Sequence, residues 1–238
     1  MTDGLRPSSL RKRSAILEAA EQVFLRDGYL GANMDELTAL SGVSKQTVYA
    51  HFGSKEALFV ELVESMTRGA GDGVHTHELR DPSSPADLRV ALTDYAVRQL
   101  TAVMSARILR LRRLVIGEES RFPQLARVLW ENGPARAVDA LADHISRLSE
   151  QGWLDTANPR AAATYLNWLV MGEPVNRAML LGDEAVPDLA VIEAHCAEAV
   201  RIFLAAFTAT ERSGKRIAPP TGEARGASEG CDSAGRDQ

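Results

Sequence analysis

Cysteine is almost absent: Cys196 and Cys231 are the only two in 238 residues. Two thiols cannot build a disulfide framework. Neither has a histidine at metal-ligand spacing, so a stapled secreted domain and a zinc module both drop out. Long apolar runs are missing as well. No stretch approaches the roughly 18 residues that mark a membrane span, and the first residues carry no apolar signal core, so the chain reads as cytoplasmic, with no membrane partner. Aromatic residues are scarce at 5%, while Ala-, Leu- and Arg-rich segments favour helix. Catalytic signatures are lacking too. There is no nucleophile elbow, phosphate loop or carboxylate–histidine constellation, which argues against an enzyme and against a bound cofactor.

What remains is ordinary globular material, 45% hydrophobic and 25% charged, long enough for one larger domain or two small ones. The net charge of −5 does not exclude nucleic acid, because phosphate binding responds to local charge. The first thirteen residues hold Arg6, Arg11, Lys12 and Arg13 against one acid, Asp3. The Arg11–Arg13 run is either a backbone or minor-groove contact or a solvated helix start.

Helical periodicity begins with Ile16, Leu17, Ala20, Val23 and Phe24 and stops at Asp27-Gly28, where glycine accepts the left-handed conformation that closes a helix. Asn33 stands three residues before Glu36 in a capping-box-like start. A short helix from Met34 to about Leu40 follows, with Leu37 and Leu40 facing inward. Ser41-Gly42-Val43-Ser44 breaks it. Ser44 caps the next helix, Lys45 to about His51, with Val48 and Phe52 on its core side. Ser54 then caps a longer helix carrying Leu58, Phe59, Leu62, Val63 and Met66.

Two short helices joined by a tight glycine turn form a helix-turn-helix, over about 33–52, which offers its second helix to the major groove. The side chains there suit that task. Lys45 and Lys55 are placed to meet phosphates, and Gln46 and Thr47 to read base edges or a thymine methyl. Each has a plainer alternative. Lys45 and Lys55 also read as solvated lysines, Tyr49 as a phosphate contact or packing on the first helix, and His51 as a DNA contact or a packing group. Asn33 and Ser44 are caps that also lie where phosphates pass. The run from Asn33-Met34-Asp35-Glu36-Leu37 through Gly42-Val43-Ser44-Lys45-Gln46-Thr47-Val48-Tyr49-Ala50-His51-Phe52-Gly53-Ser54-Lys55-Glu56-Ala57-Leu58-Phe59 resembles the DNA-binding domain of the TetR family. The resemblance covers roughly 10–70.

Past residue 70 the composition changes. Gly69 to Pro85 is rich in Gly, Asp, Ser and Pro; His75 and His77 lack a third ligand nearby, so the segment reads as a loop. Helices are expected at about 86–103, 105–118, 122–152, 159–181 and 187–210, about nine in all. Pro134 and Pro174 fall inside two of them, where each should kink or split. Arg113-Leu114-Val115-Ile116-Gly117-Glu118, Arg121-Phe122-Pro123 and Asn176-Arg177-Ala178-Met179-Leu180-Leu181-Gly182 resemble the C-terminal domain of AefR-like regulators of the same family.

The reading is therefore all-α: a DNA-binding domain over 10–70, a ligand-binding and dimerisation domain over 71–211, and a disordered tail over 212–238. In the last helix Leu189, Ile192, Cys196, Ala199, Phe203 and Phe207 form a near-heptad stripe. One chain could bury it internally; the family resemblance favours a four-helix interface with a second copy. Arg107, Arg110, Arg112 and Arg113 suggest an anionic-ligand site, a contact with the DNA-binding domain, or a solvated face with acid partners such as Glu118. Met66, Met104, Trp130, Asn167, Trp168 and Met171 are candidates to line a pocket, with plain core packing as the alternative. The resemblance implies a homodimeric repressor on palindromic double-stranded operator DNA, released by a small-molecule effector. The competing reading is a ligand-independent DNA-binding regulator or architectural protein.

Overall fold

The computed structural model describes residues 7–75 and 81–208, in which the only β-pairing is one isolated bridge between Leu154 and Thr208. Ten α-helices occur among these residues. They are α1 Pro7–Gly31, α2 Met34–Ser41, α3 Lys45–Phe52, α4 Lys55–His75, α5 Pro85–Val103, α6 Ala106–Gly117, α7 Pro123–Trp130, α8 Arg136–Glu150, α9 Pro159–Leu181 and α10 Leu189–Phe207. The tail over 212–238, with Lys215, Arg216 and Cys231, lies outside the described residues, as do Arg6 and His77.

Local chemistry sets most boundaries. Gly28, at φ 73°, bends α1 before its last turn, a conformation a Cβ would penalise. Asn33 accepts from the Asp35 N–H at 2.8 Å, Ser44 from Thr47 at 3.2 Å and Ser54 from Ala57 at 3.0 Å, so α2, α3 and α4 each have a side-chain N-cap. Pro85, Pro123 and Pro159 each open a helix, where a missing N–H costs nothing. Pro134 divides the long helix expected over 122–152: a π-turn, Glu131–Ala135, separates α7 from α8. Counted as one broken helix, that pair gives the expected nine. Pro174, by contrast, sits inside α9 without splitting it.

Three local expectations are corrected. Glu36 does not complete a capping box; its carboxylate turns to Arg26 at 2.8 Å. Leu40 is half exposed, since an eight-residue helix presents only one narrow face and Leu37 occupies it. From Gly69 to His75 the expected loop is helix instead, because α4 propagates through Gly69, Gly71 and Gly73 from an already packed body.

Two clusters of buried side chains organise the chain. The first joins Ile16, Val23 and Phe24 of α1, Leu37 of α2, Val48 of α3 and Leu58, Phe59, Leu62 and Met66 of α4. Ile108, Leu111 and Val115 of α6 and Leu125 of α7 belong to it too. Phe24, Tyr29, Phe59 and Phe122 form an aromatic knot within it, with Tyr29 edge-on to Phe122 at 4.5 Å. The helix-turn-helix is thus buttressed by residues far along the chain. The second cluster gathers α5, α8, α9 and α10 around Tyr95, Leu100, Leu141, Leu166 and Phe203. Here the near-heptad stripe meets its partner. Ile192, Cys196, Ala199 and Phe203 are buried inside their own chain, so the middle of the stripe is core, while Leu189 at its start is exposed.

Candidate nucleic-acid interface and ligand cavity

The proposed recognition helix, α3, buries only Val48 fully and leaves Gln46, Tyr49 and Ala50 exposed. Thr47 and His51 are half-buried. The Ser44 and Thr47 hydroxyls lie 2.8 Å apart, which stiffens the first turn beside its free N–H groups. Lys45 forms an exposed ion pair with Asp35 at 2.8 Å, and that carboxylate raises its pKa. The pair crosses from α3 to α2, linking the two helices of the motif at their surface. An incoming phosphate would compete with Asp35 for the ammonium.

Lys55 is a different case. Its Nζ donates to the Ala32 carbonyl at 2.6 Å and sits 5.1 Å from the Tyr29 ring centroid, and burial lowers its pKa. Two of its roles are therefore internal: it closes the α1–α2 junction against the start of α4. Arg13 is likewise engaged, with Glu61 at 2.6 Å and the Phe52 ring at 5.3 Å, while Arg11 and Lys12 stay exposed.

Behind α6 lies a cavity of about 620 Å³, the size of a drug-sized ligand site. Its wall takes Thr67 from α4, Gln99 and Val103 from α5, Ile108, Leu111 and Arg112 from α6, Gly133 and Pro134 from the π-turn, and Asn167, Trp168, Met171 and Met179 from α9. Asn167, Trp168 and Met171 thus come together in it. Met66, Met104 and Trp130 do not line it. Met66 is packed into the first cluster, Met104 into the second, and Trp130 ends α7 half exposed. Helical periodicity marks a buried face but not which of two adjoining cores it joins. Polar groups in the wall are few. Gln99 Nε2 donates to Asn167 Oδ1 at 3.3 Å, and the Thr67 hydroxyl is taken by its own helix at Val63 O.

The arginines of α6 divide. Arg107 pairs with Glu21 of α1, and Arg110 and Arg113 share Asp183 at 3.0 and 2.8 Å, with Arg113 also donating to Ala178 O. The acid partners are Glu21 and Asp183 rather than Glu118. Those arginines hold the Asp183 carboxyl below its ordinary range. Arg112 has no such partner.

A capped helix-turn-helix fused through a shared core to a helical body with an apolar cavity defines a class of DNA-binding transcriptional regulators. The comparisons are specific. Residues 16–62 match the bacterial regulatory proteins of the TetR family, and residues 90–209, half of the chain, match the C-terminal domain of AefR-like transcriptional repressors. A regulator structure from Mesorhizobium loti is 32% identical over 85% of this chain and all of its own, with a TM-score of 0.77. The flavonoid-responsive regulator FrrA is 32% identical over 85% of this chain and 99% of its own, with a TM-score of 0.67. The repressor NicS of Pseudomonas putida is 32% identical over 37% of this chain, a match spanning 43% of NicS. The chain belongs to the TetR family. Members are transcriptional regulators and not enzymes; they bind operator DNA, act as dimers and respond to small-molecule effectors. No helix among the described residues is long and apolar enough to cross a membrane.

Proposed function

We propose that this chain is a homodimeric repressor that binds a palindromic double-stranded operator and leaves it when a small, largely apolar effector fills the cavity behind α6. One observation carries the reading: Ile108 and Leu111 belong at once to the cavity wall and to the buried cluster that supports the helix-turn-helix. Anything that repositions α6 must repack the support of α3. Thr67 adds a second contact, on α4, whose first turns build the DNA-binding unit.

In this reading residues 10–70 read DNA and residues 71–211 bind ligand and dimerise. Gln46 and Thr47 face base edges, and Asn33, Ser44, Lys45, Tyr49, His51 and Lys55 face the backbone. A dimer must dock both α3 helices on half-sites roughly 34–36 Å apart or a multiple of that. A small tilt of each subunit spoils simultaneous docking. The effector achieves this only by binding the non-docking state more tightly, and a coupling of about 1–3 kcal/mol lowers operator affinity roughly 5- to 150-fold. The name of FrrA supports a small organic effector, and the AefR-like match supports repression.

A ligand-independent regulator needs no cavity of this size lined by apolar groups, which favours the effector reading. Selection of bound sequences from random DNA by the purified chain gives the operator and tests the class. An enriched palindrome is expected; no enrichment at physiological salt refutes the proposal. Titrating that operator complex with effector candidates then separates the two kinds of regulator.

A further inference from the structure

The cavity wall contains one cation that nothing neutralises. Arg112 is half-buried, its Nε is shut off from solvent without a hydrogen-bond partner, and its guanidinium forms no ion pair among the described residues. The contrast along α6 is sharp, because Arg107, Arg110 and Arg113 all have carboxylates. No Asp or Glu lines the cavity, and its two buried amides, Gln99 and Asn167, bond to each other. Burial alone lowers the pKa of Arg112, with no neighbouring charge acting on it. A guanidinium does not escape this cost by losing its proton. A partly desolvated charge without a partner is destabilising, and a bound anion would offset that cost.

We infer that the cavity is built for an amphipathic carboxylate, its apolar body packed among Leu111, Trp168, Met171 and Met179 and its anionic end on Arg112. The fork of a guanidinium matches two carboxylate oxygens, and a partly desolvated site strengthens that pairing. The wall is mostly apolar and its other cation, Arg113, is held by Asp183, so the same site rejects small hydrophilic anions, which lose hydration and gain little in return. A cationic ligand would meet Arg112 as a like charge. This assignment rests on the cavity being the effector site, and it adds the charge of the effector to that reading.

The test uses the full chain without DNA and three matched pairs: decanoate, 4-phenylbutanoate and 2-naphthoate, each beside its neutral amide. Binding is followed by calorimetry and by tryptophan fluorescence, since Trp168 lies in the wall. At least one carboxylate should bind at least about tenfold more tightly than its amide. Arg112→Met should bring that ratio to about one while leaving amide affinity nearly unchanged, and Arg112→Lys should restore part of the preference. Arg112→Met should also raise the melting temperature of the free protein, which shows that the lost preference is not misfolding. Should that variant fail to fold, Arg112→Gln carries the same comparison. Amides equal to their acids in the wild type, a preference unchanged by removing Arg112, or no binding by any of the three carboxylates at millimolar concentration each overturn the inference. Operator binding is read separately. A carboxylate preference that depends on Arg112, with operator affinity indifferent to the ligand, upholds the inference and removes the effector role.

Discussion

Arg107 of α6 clasps Glu21 of α1 through two guanidinium–carboxylate hydrogen bonds, Nε to Oε1 and Nη2 to Oε2. The two residues are 86 positions apart, and their bond ties the cavity-lining helix to the first helix of the DNA-binding unit. The same helix reaches the shared core one turn later through Leu111. A ligand that moves α6 therefore pulls on α1 by a polar and an apolar route together.

That arrangement gives the first prediction. Both side chains are partly exposed, so Glu21→Gln should cost less than about 1 kcal/mol of stability and leave the operator affinity of the free protein nearly intact. The effector's influence on operator affinity should shrink. Operator titrations with and without a bound effector measure it, and an unchanged ratio would show that the apolar route alone carries the coupling.

The second prediction separates reading from positioning. Gln46 is exposed on α3 with no partner required by the fold, so Gln46→Ala should cost about 1–3 kcal/mol on the preferred operator and almost nothing on random DNA. Lys45→Ala should weaken both kinds of DNA and reduce the salt dependence by about one phosphate per subunit. Equal losses on selected and random DNA in the two variants would reverse the assigned roles. Binding isotherms at several salt concentrations supply the comparison.

Lys55 carries the third. Replacing it with Met keeps the aliphatic stem but removes the donor to Ala32 O, stranding a carbonyl in a buried residue. The expected cost is about 1–3 kcal/mol of stability, where Lys45→Met should cost little. A pH signature accompanies it. Burial lowers the folded-state pKa, so the unfolded chain holds the proton more firmly and stability rises with pH as the ordinary lysine range is approached from below. Lys55→Met should flatten that rise. Denaturant melts across alkaline pH are the check; a flat wild-type curve argues against a desolvated ammonium at Lys55.

These cases show what the linear sequence reveals. Caps and turns are local, and Asn33, Ser44, Ser54 and Gly28 act where spacing places them because their partners lie within four residues. Periodicity also locates Val48, Leu58 and Phe59 in the core. Long-range partners are another matter. Nothing near Lys55 in the chain points to Ala32, and nothing near Arg107 points to Glu21. The pocket candidates divide for the same reason. Trp168 and Met171 share one stretch of α9 that borders the cavity, whereas Met66 and Met104 are drawn into the two cores on either side. Arg112 was legible only as one of four arginines, because its lack of a partner is a property of the packed molecule.

The last prediction concerns assembly, where the fold redirects the obvious experiment. Phe203 lies on the stripe that resembles a dimer seam, yet it is 1% exposed inside its own chain, its ring tilted against Phe207 at 4.8 Å. A Glu at that position buries a charge without a partner, so Phe203→Glu should unfold the C-terminal body and say nothing about dimers. Ile202, its neighbour, points the other way and is 42% exposed; Tyr165 and Leu169 of α9 are exposed as well. Exposed apolar side chains on two adjacent long helices suit an isologous four-helix interface, in which each copy offers the same patch. Ile202→Glu combined with Tyr165→Glu should therefore yield a folded monomer with an unchanged helical signal by circular dichroism. Loss of the second half-site should then remove most operator affinity, although each α3 remains intact. Sedimentation velocity decides the matter. A double variant that still sediments as a dimer places the interface elsewhere, and a wild type that is monomeric at micromolar concentration removes it.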